Sequence, residues 1–321
     1  MPTRRRFLQS SAVVAAAFSG ASALDAHGVP SAEPSLPTTS TTAAPKPAAE
    51  IQVPKMKFFN VEISRMVLGV NPFCGYSHYN NNYSGVMKEW YTPDRVCEVM
   101  HQATRFGINA FNYVGLARMP QDWLRFRAEG GQMHLIMQVL HDNAATVEQA
   151  KTLEPLAMFR QGEVVDKAFQ QGKMNAVREW CKMVRDLGII VGVGTHKPEV
   201  ISQVDEEGWD VDFYAGCVYN RTRTQDEWKK ILNGEITEMP HEIYLQSDPA
   251  RMYSVMRQTR KPCFAFKILA AGRVDDGGVE QAFRTAFSSI KPNDGVLVGM
   301  FPRGKDEVRE NAEIVHRILL G

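Results

Sequence analysis

From Ile63 onward, short apolar runs rich in β-branched residues alternate with longer stretches in which apolar side chains recur every three or four positions. The first pattern suits strands and the second amphipathic helices, and their regular alternation argues for parallel βα units rather than hairpins. Strands are expected at Arg65 to Val70, Ala110 to Val114, His134 to Leu140, Leu156 to Arg160, Ile189 to Gly194, Asp212 to Cys217, Cys263 to Ile268 and Gly295 to Gly299. Helices are expected between them. Arg95 to Phe106 follows the cap and first-turn pair Thr92-Pro93 and stops at Gly107, and Val177 to Leu187 stops at Gly188. Glu199 to Glu206 follows Pro198, and Asp306 to Leu319 closes the chain. Eight such units in about 260 residues predict an α/β fold, a single (β/α)8 TIM barrel, whose reactive groups belong at the C-terminal ends of the strands.

The first 55 residues lack this pattern. Thr3-Arg4-Arg5-Arg6-Phe7-Leu8-Gln9 resembles the twin-arginine export consensus Ser/Thr-Arg-Arg-x-Phe-Leu-Lys, departing at the last position. Ser10 to Gly20 is apolar but too short to span a bilayer, and Ala21-Ser22-Ala23 fits an A-x-A cleavage site. Asp25 to Lys55 is dominated by Pro, Ala, Thr and Ser, which bury too little apolar area to offset ordering entropy. The expected organisation is a signal peptide at 1–23, a disordered linker at 24–55 and one barrel domain at 56–321, exported to a periplasmic or other extracytoplasmic space. Folding before export would let the chain keep its five cysteines as free thiols, and it favours a cofactor loaded in the cytoplasm.

Composition narrows the partners. With 37 basic and 36 acidic residues the formal charge is +1, so no field of one sign recruits nucleic acid, or a membrane surface beyond the signal peptide. A small-molecule substrate is expected instead. The cysteines are odd in number and contain no CxxC pair, which argues against a disulfide scaffold or a metal knuckle.

Several strand-end segments, in order along the chain, resemble the aldo-keto reductases. Ile63-Ser64-Arg65-Met66-Val67-Leu68-Gly69 is similar to the opening strand of that family, and Gly107-Ile108-Asn109-Ala110-Phe111-Asn112 to its second, usually G-I-N-x-F-D. Val193-Gly194-Thr195-His196 resembles the G-V-S-N fifth strand, and Val211 to Asn220 the sixth. Phe264 to Gly272 parallels A-Y-S-P-L-x-x-G, and Val298-Gly299 to Arg309-Glu310-Asn311 parallels the eighth strand and the E-N that touches adenine. The family reduces carbonyls by hydride transfer from NADPH, using Asp, Tyr, Lys and His. In this chain those positions fall on Asn112, near Ala117, on Gln138 and on Gln161. With the titratable groups gone, the usual proton donor is missing, a loss of about two to four orders of magnitude in rate. Cofactor positions are mixed. The resemblance implies that Phe266 stacks on a nicotinamide and that Arg303, Lys305, Arg309 and Asn311 hold the adenine end of NADP(H), the alternative being a solvated start to the last helix.

Other chemistry gathers at the expected strand ends: Asn71, His141, Asp142, Glu163, Asp166, His196, Cys217, Tyr219, Asn220, Arg221 and Lys267. Lys267, aimed into the barrel by strand alternation, would have a lowered pKa and is a Schiff-base candidate, the alternative being a structural ion pair with Glu163. His141, Glu163 and His196 are a permissive two-His, one-carboxylate trio, too unspecific for a metal site to be assigned. Cys217 is expected to be a buried small hydrophobe. The loop from Gly75 to Trp90 carries Tyr76, His78, Tyr79, Tyr83 and three asparagines, a mixture suited to sugars and polyols. Glu163, His196 and Lys267 are thus the expected catalytic groups, and Asn71, Tyr76, Asn112, Gln138 and His141 the expected substrate contacts. The leading expectation is an exported oxidoreductase of aldo-keto reductase ancestry acting on a small polar, sugar-like carbonyl or polyol. The alternatives are a lyase or isomerase using Lys267 or a metal, and a non-catalytic binding barrel.

Overall fold

The computed structural model describes residues 47–141, 143–234, 242–274 and 276–321; the expected signal peptide, the linker up to residue 46 and Asp142 lie outside them. The described strands are β1 (Lys55–Phe58), β2 (Val61–Ser64), β3 (Met66–Gly69), β4 (Ala110–Val114), β5 (His134–Val139), β6 (Ala157–Arg160), β7 (Ile190–Thr195), β8 (Phe213–Cys217), β9 (Cys263–Phe266) and β10 (Gly295–Gly299). Strands β3 to β10 form a closed barrel in chain order, with every neighbouring pair parallel. Closure is made by β10 on β3, from Val296 opposite Met66 to Gly299 opposite Gly69. The chain therefore folds as a (β/α)8 barrel. Two expected strands coincide with observed ones and the other six fall within a residue or two. One of these differences matters for chemistry: β9 stops at Phe266, and Lys267 follows it in the left-handed region at φ 61°. Among the described residues no helix is long and apolar enough to cross a membrane.

The hairpin β1–β2 precedes the barrel and closes its N-terminal end. Met56, Phe58 and Ile63 are buried in one cluster with the barrel-interior residues Val67, Ala110, Ile136, Ala157, Phe213, Phe264 and Leu297. The Phe58 ring lies 5.6 Å from that of Phe213 and 5.5 Å from that of Phe264. Packing also begins earlier than expected. Ile51 and Val53 are buried, and the Val53 N–H donates to the Phe106 carbonyl at 2.9 Å, so residues 51–55 belong with the barrel rather than the linker.

Strand alternation then sorts the interior into layers. Ala110 and Ile136 sit in the apolar lower layer, so Asn112 and Gln138, two residues further along β4 and β5, come to the upper one. The same period carries β6 from Phe159 to Gln161 and β3 from Val67 through Gly69 to Asn71. Below is a dry aromatic plug; above it is a ring of amides.

Candidate active site

Above the plug the barrel opens into a cavity of about 590 Å³, walled by the strand ends and reaching toward the start of the last helix, Glu307–Leu320. Asn71, Asn112, Gln138 and Gln161 line it with Phe159 and Phe266. Three of the four positions that the strand-end resemblance matches to the tetrad, Asn112, Gln138 and Gln161, thus line one cavity, all as amides. Gln161 is partly committed, because its Oε1 accepts from the Val164 N–H at 3.0 Å and caps the helix Gly162–Gln170. Tyr76, about half exposed, stands at the rim.

Lys267 also lines this cavity, with its side chain only 8% exposed. Its Nζ has no hydrogen-bond partner among the described residues and stands 3.7 Å from Glu242 Oε2. Burial, reinforced by the nearby Arg221 guanidinium and only partly opposed by Glu242, pushes the Lys267 ammonium down to about 7. The alternative pairing of Lys267 with Glu163 does not occur. Glu163 is half exposed and bound to Arg221 Nη1 at 3.0 Å, while Lys267 faces Glu242.

Glu242 is the hub that the sequence concealed. Its Oε1 accepts from His78 Nδ1 at 2.7 Å and from Arg221 Nη2, and its Oε2 accepts from the Tyr244 hydroxyl at 2.6 Å. Burial works to raise its carboxyl pKa, but the His78 hydrogen bond, Lys267 and Arg221 outweigh it and hold the group ionised well below the usual carboxylate range. His78 Nε2 faces the Asn71 amide nitrogen at 3.0 Å; with that amide donating, Nδ1 keeps the proton that goes to Glu242. Arg273 ties these loops together, donating to the His78 and Glu242 carbonyls at 3.0 and 3.3 Å while its guanidinium lies 4.2 Å from the Tyr244 ring centroid.

His196, just beyond β7, is fixed from both sides. Its Nδ1 lies 2.7 Å from Asp166 Oδ2, and its Nε2 lies 3.1 Å from Arg221 Nη1. Asp166 is fully buried and also accepts from the Thr195 and Thr222 hydroxyls at 2.5 and 2.9 Å. Burial drives the His196 pKa down against the pull of Asp166, so the ring is neutral, donating from Nδ1 and accepting at Nε2. Gly162 permits this packing, since a Cβ there would lie 3.0 Å from the His196 ring.

Other expected contacts fall elsewhere. His141 is exposed and does not line the cavity, so the trio of His141, Glu163 and His196 is not assembled; among the described residues no group of three or more His, Cys, Asp or Glu is placed to hold a metal ion. Arg303 is exposed and off the cavity. Arg309 turns to Glu313 at 2.9 Å and lies over the Phe106 ring, whereas Asn311 is buried in the cavity wall. Lys305 lines the same end but pairs with Glu310 at 3.0 Å, and Glu307 lines it too. Cys217 is buried and its thiol is pushed up to about 12 by burial, as suits a small core residue.

No protein-family model and no curated protein matches this chain. Solved structures do. A truncated 3-deoxy-D-arabino-heptulosonate 7-phosphate synthase from Thermotoga maritima aligns over 83% of this chain and 91% of its own, with a TM-score of 0.51 at 11% identity. A mandelate oxidase aligns over 86% of this chain and 78% of its own, with a TM-score of 0.47 at 13% identity. At 11% identity the likeness to the synthase establishes the barrel fold alone. The synthase is not described as an aldo-keto reductase, so that resemblance rests on the strand-end residues themselves.

Proposed function

We propose that this chain is a barrel enzyme acting on a small polar carbonyl compound, with Lys267 as the reacting group, in the manner of a lyase or isomerase that works through an imine. The observation that carries this reading is a buried amine without a hydrogen-bond partner on the wall of a polar cavity, with a pKa near 7. An amine titrating there is substantially neutral at physiological pH and therefore nucleophilic. Its nitrogen adds to the carbonyl carbon, the oxygen takes up protons and leaves as water, and the product is a protonated imine. Glu242 then faces that new positive charge. Asn71, Asn112, Gln138 and Gln161 supply hydrogen bonds to substrate hydroxyls, while Phe159 and Phe266 offer apolar faces.

The test is reductive trapping. Full-length protein incubated with glycolaldehyde, hydroxyacetone or pyruvate and then with borohydride should gain one adduct, mapped by peptide mass to Lys267. Lys267→Met should gain none. No adduct at Lys267 with any of the three compounds would sink the reading.

A second reading is favoured by the amides at Asn112, Gln138 and Gln161 lining a cavity that runs past Phe266 to Asn311. It makes the chain an oxidoreductase of aldo-keto reductase ancestry. The residues fit NADP(H) poorly. A 2′-phosphate at the Lys305 end would meet Glu307 and Glu310, while Arg303 and Arg309 are off the cavity. Calorimetric titration with NADPH and NADH tests this reading, and absence of heat with both removes it. On either reading the motif from Thr3 to Gln9 supports export of the folded protein by the twin-arginine route.

A further inference from the structure

We propose that the carbonyl compound is a 2-oxo acid, whose carboxylate takes the place of Glu163 on Arg221 and so sets the keto carbon beside Lys267. This rests on the reading of Lys267 given above and names its substrate class. Arg221 is largely enclosed, with 9% of its side chain exposed, and it lines the cavity. Two of its contacts face inward: Nη2 to Glu242, and Nη1 to the His196 ring that Asp166 locks in place. The third, to Glu163, faces outward, toward a carboxylate whose side chain is 51% exposed. An anion half in water loses little on returning to it fully. The guanidinium also has spare donor capacity, since its Nε has no partner among the described residues. Glu163 therefore occupies the place of an exchangeable carboxylate on an otherwise fixed cation.

The spacing suits one ligand class. Arg221 and Lys267 engage the two oxygens of the same Glu242 carboxylate, so their heads are close neighbours. A 2-oxo acid has its carboxylate bonded directly to the electrophilic carbon, and anion and electrophile can meet the two heads together. Charge counting agrees. Once Lys267 carries the protonated imine, it and Arg221 are two cations, which Glu242 and one further carboxylate balance. Glu163 fills that second place in the free protein and a ligand carboxylate fills it when Glu163 swings into solvent, whereas a neutral carbonyl compound brings no charge to the exchange. In the covalent step the neutral Nζ forms the C–N bond and gives up its two protons, the keto oxygen takes up two and departs as water, and the imine takes one further proton. The resulting cation lies between the ligand carboxylate and Glu242.

Borohydride trapping of the full chain at graded concentrations compares pyruvate with hydroxyacetone, in which a neutral CH2OH replaces the carboxylate. Pyruvate is expected to half-saturate Lys267 labelling at a concentration on the order of tenfold below hydroxyacetone, the difference that a charge-assisted hydrogen bond made by one ligand alone would produce. Glu163→Gln, a substitution at a half-exposed side chain, is expected to widen that ratio several-fold because the competing carboxylate is gone. Equal or weaker labelling by pyruvate, or an unchanged ratio in the variant, overturns the 2-oxo acid assignment while leaving the lysine chemistry intact. No Lys267 adduct with either compound overturns both.

Discussion

At Lys267 burial, a neighbouring cation and a neighbouring anion compete, and burial wins. Its folded pKa near 7 sits well below the ordinary lysine value of 10.5, so the reactive amine form builds up as pH rises through neutrality rather than through the alkaline range. Lys267 labelling is accordingly expected to rise along the acid limb with a midpoint near 7 and to level off within about two pH units above it; a midpoint at the ordinary lysine value would mean that the side chain is hydrated in solution. The cysteines obey the same physics with the opposite charge. Burial disfavours the thiolate, which pushes Cys74 and Cys97 up to about 11 and Cys181 and Cys217 up to about 12. A disulfide reagent at pH 8 should therefore find the five thiols unreactive in the folded protein and all five titratable in denaturant. Fast reaction of any one of them in the native state would contradict this packing.

Among the elements, the hairpin β1–β2 contributes the clearest energetic effect. Phe58 is fully buried and anchors the interface between hairpin and barrel. Phe58→Ala should cost about 3–5 kcal/mol of unfolding free energy, read from the urea midpoint at unchanged slope. The hairpin is illegible in the sequence for a physical reason. Lys55–Phe58 and Val61–Ser64 are four residues each, too short for periodicity to separate them from loop, and the first abuts a Pro- and Ala-rich stretch. The barrel strands are legible because burial on both faces makes each a compact apolar run. Helices with a capping pair or a terminal glycine are equally clear: Thr92 accepts from the Arg95 N–H at the start of Pro93–Arg105, as the Thr92-Pro93 pair implies.

For the whole molecule, barrel closure gives two unlike ends. The N-terminal end is sealed by aromatic packing, and the C-terminal end holds the amides, Lys267, Arg221, the buried His196–Asp166 pair and the partly buried His78–Glu242 pair. The proposed ligand chemistry accordingly belongs to one face. The export proposal belongs to this scale as well, because it concerns the folded chain as cargo. Replacing Arg4 and Arg5 together with lysine should hold the protein in the cytoplasm, as read by cell fractionation, without altering its thermal midpoint after purification; undiminished export would remove the twin-arginine assignment.

The sequence alone determined the eight-unit barrel and the amide identity of Asn71, Asn112, Gln138 and Gln161 near its strand ends. These are local properties, written in period, capping and residue identity. The partners of the charged groups were decided only in three dimensions. His78 and Glu242 are 164 positions apart, and Glu163 is held by Arg221 rather than by Lys267. Which charge is buried beside which depends on how the loops fold over the barrel mouth. Burial and distance, which set the pKa of Lys267 and leave Glu163 half in water, are properties of that packing and have no counterpart in the linear pattern.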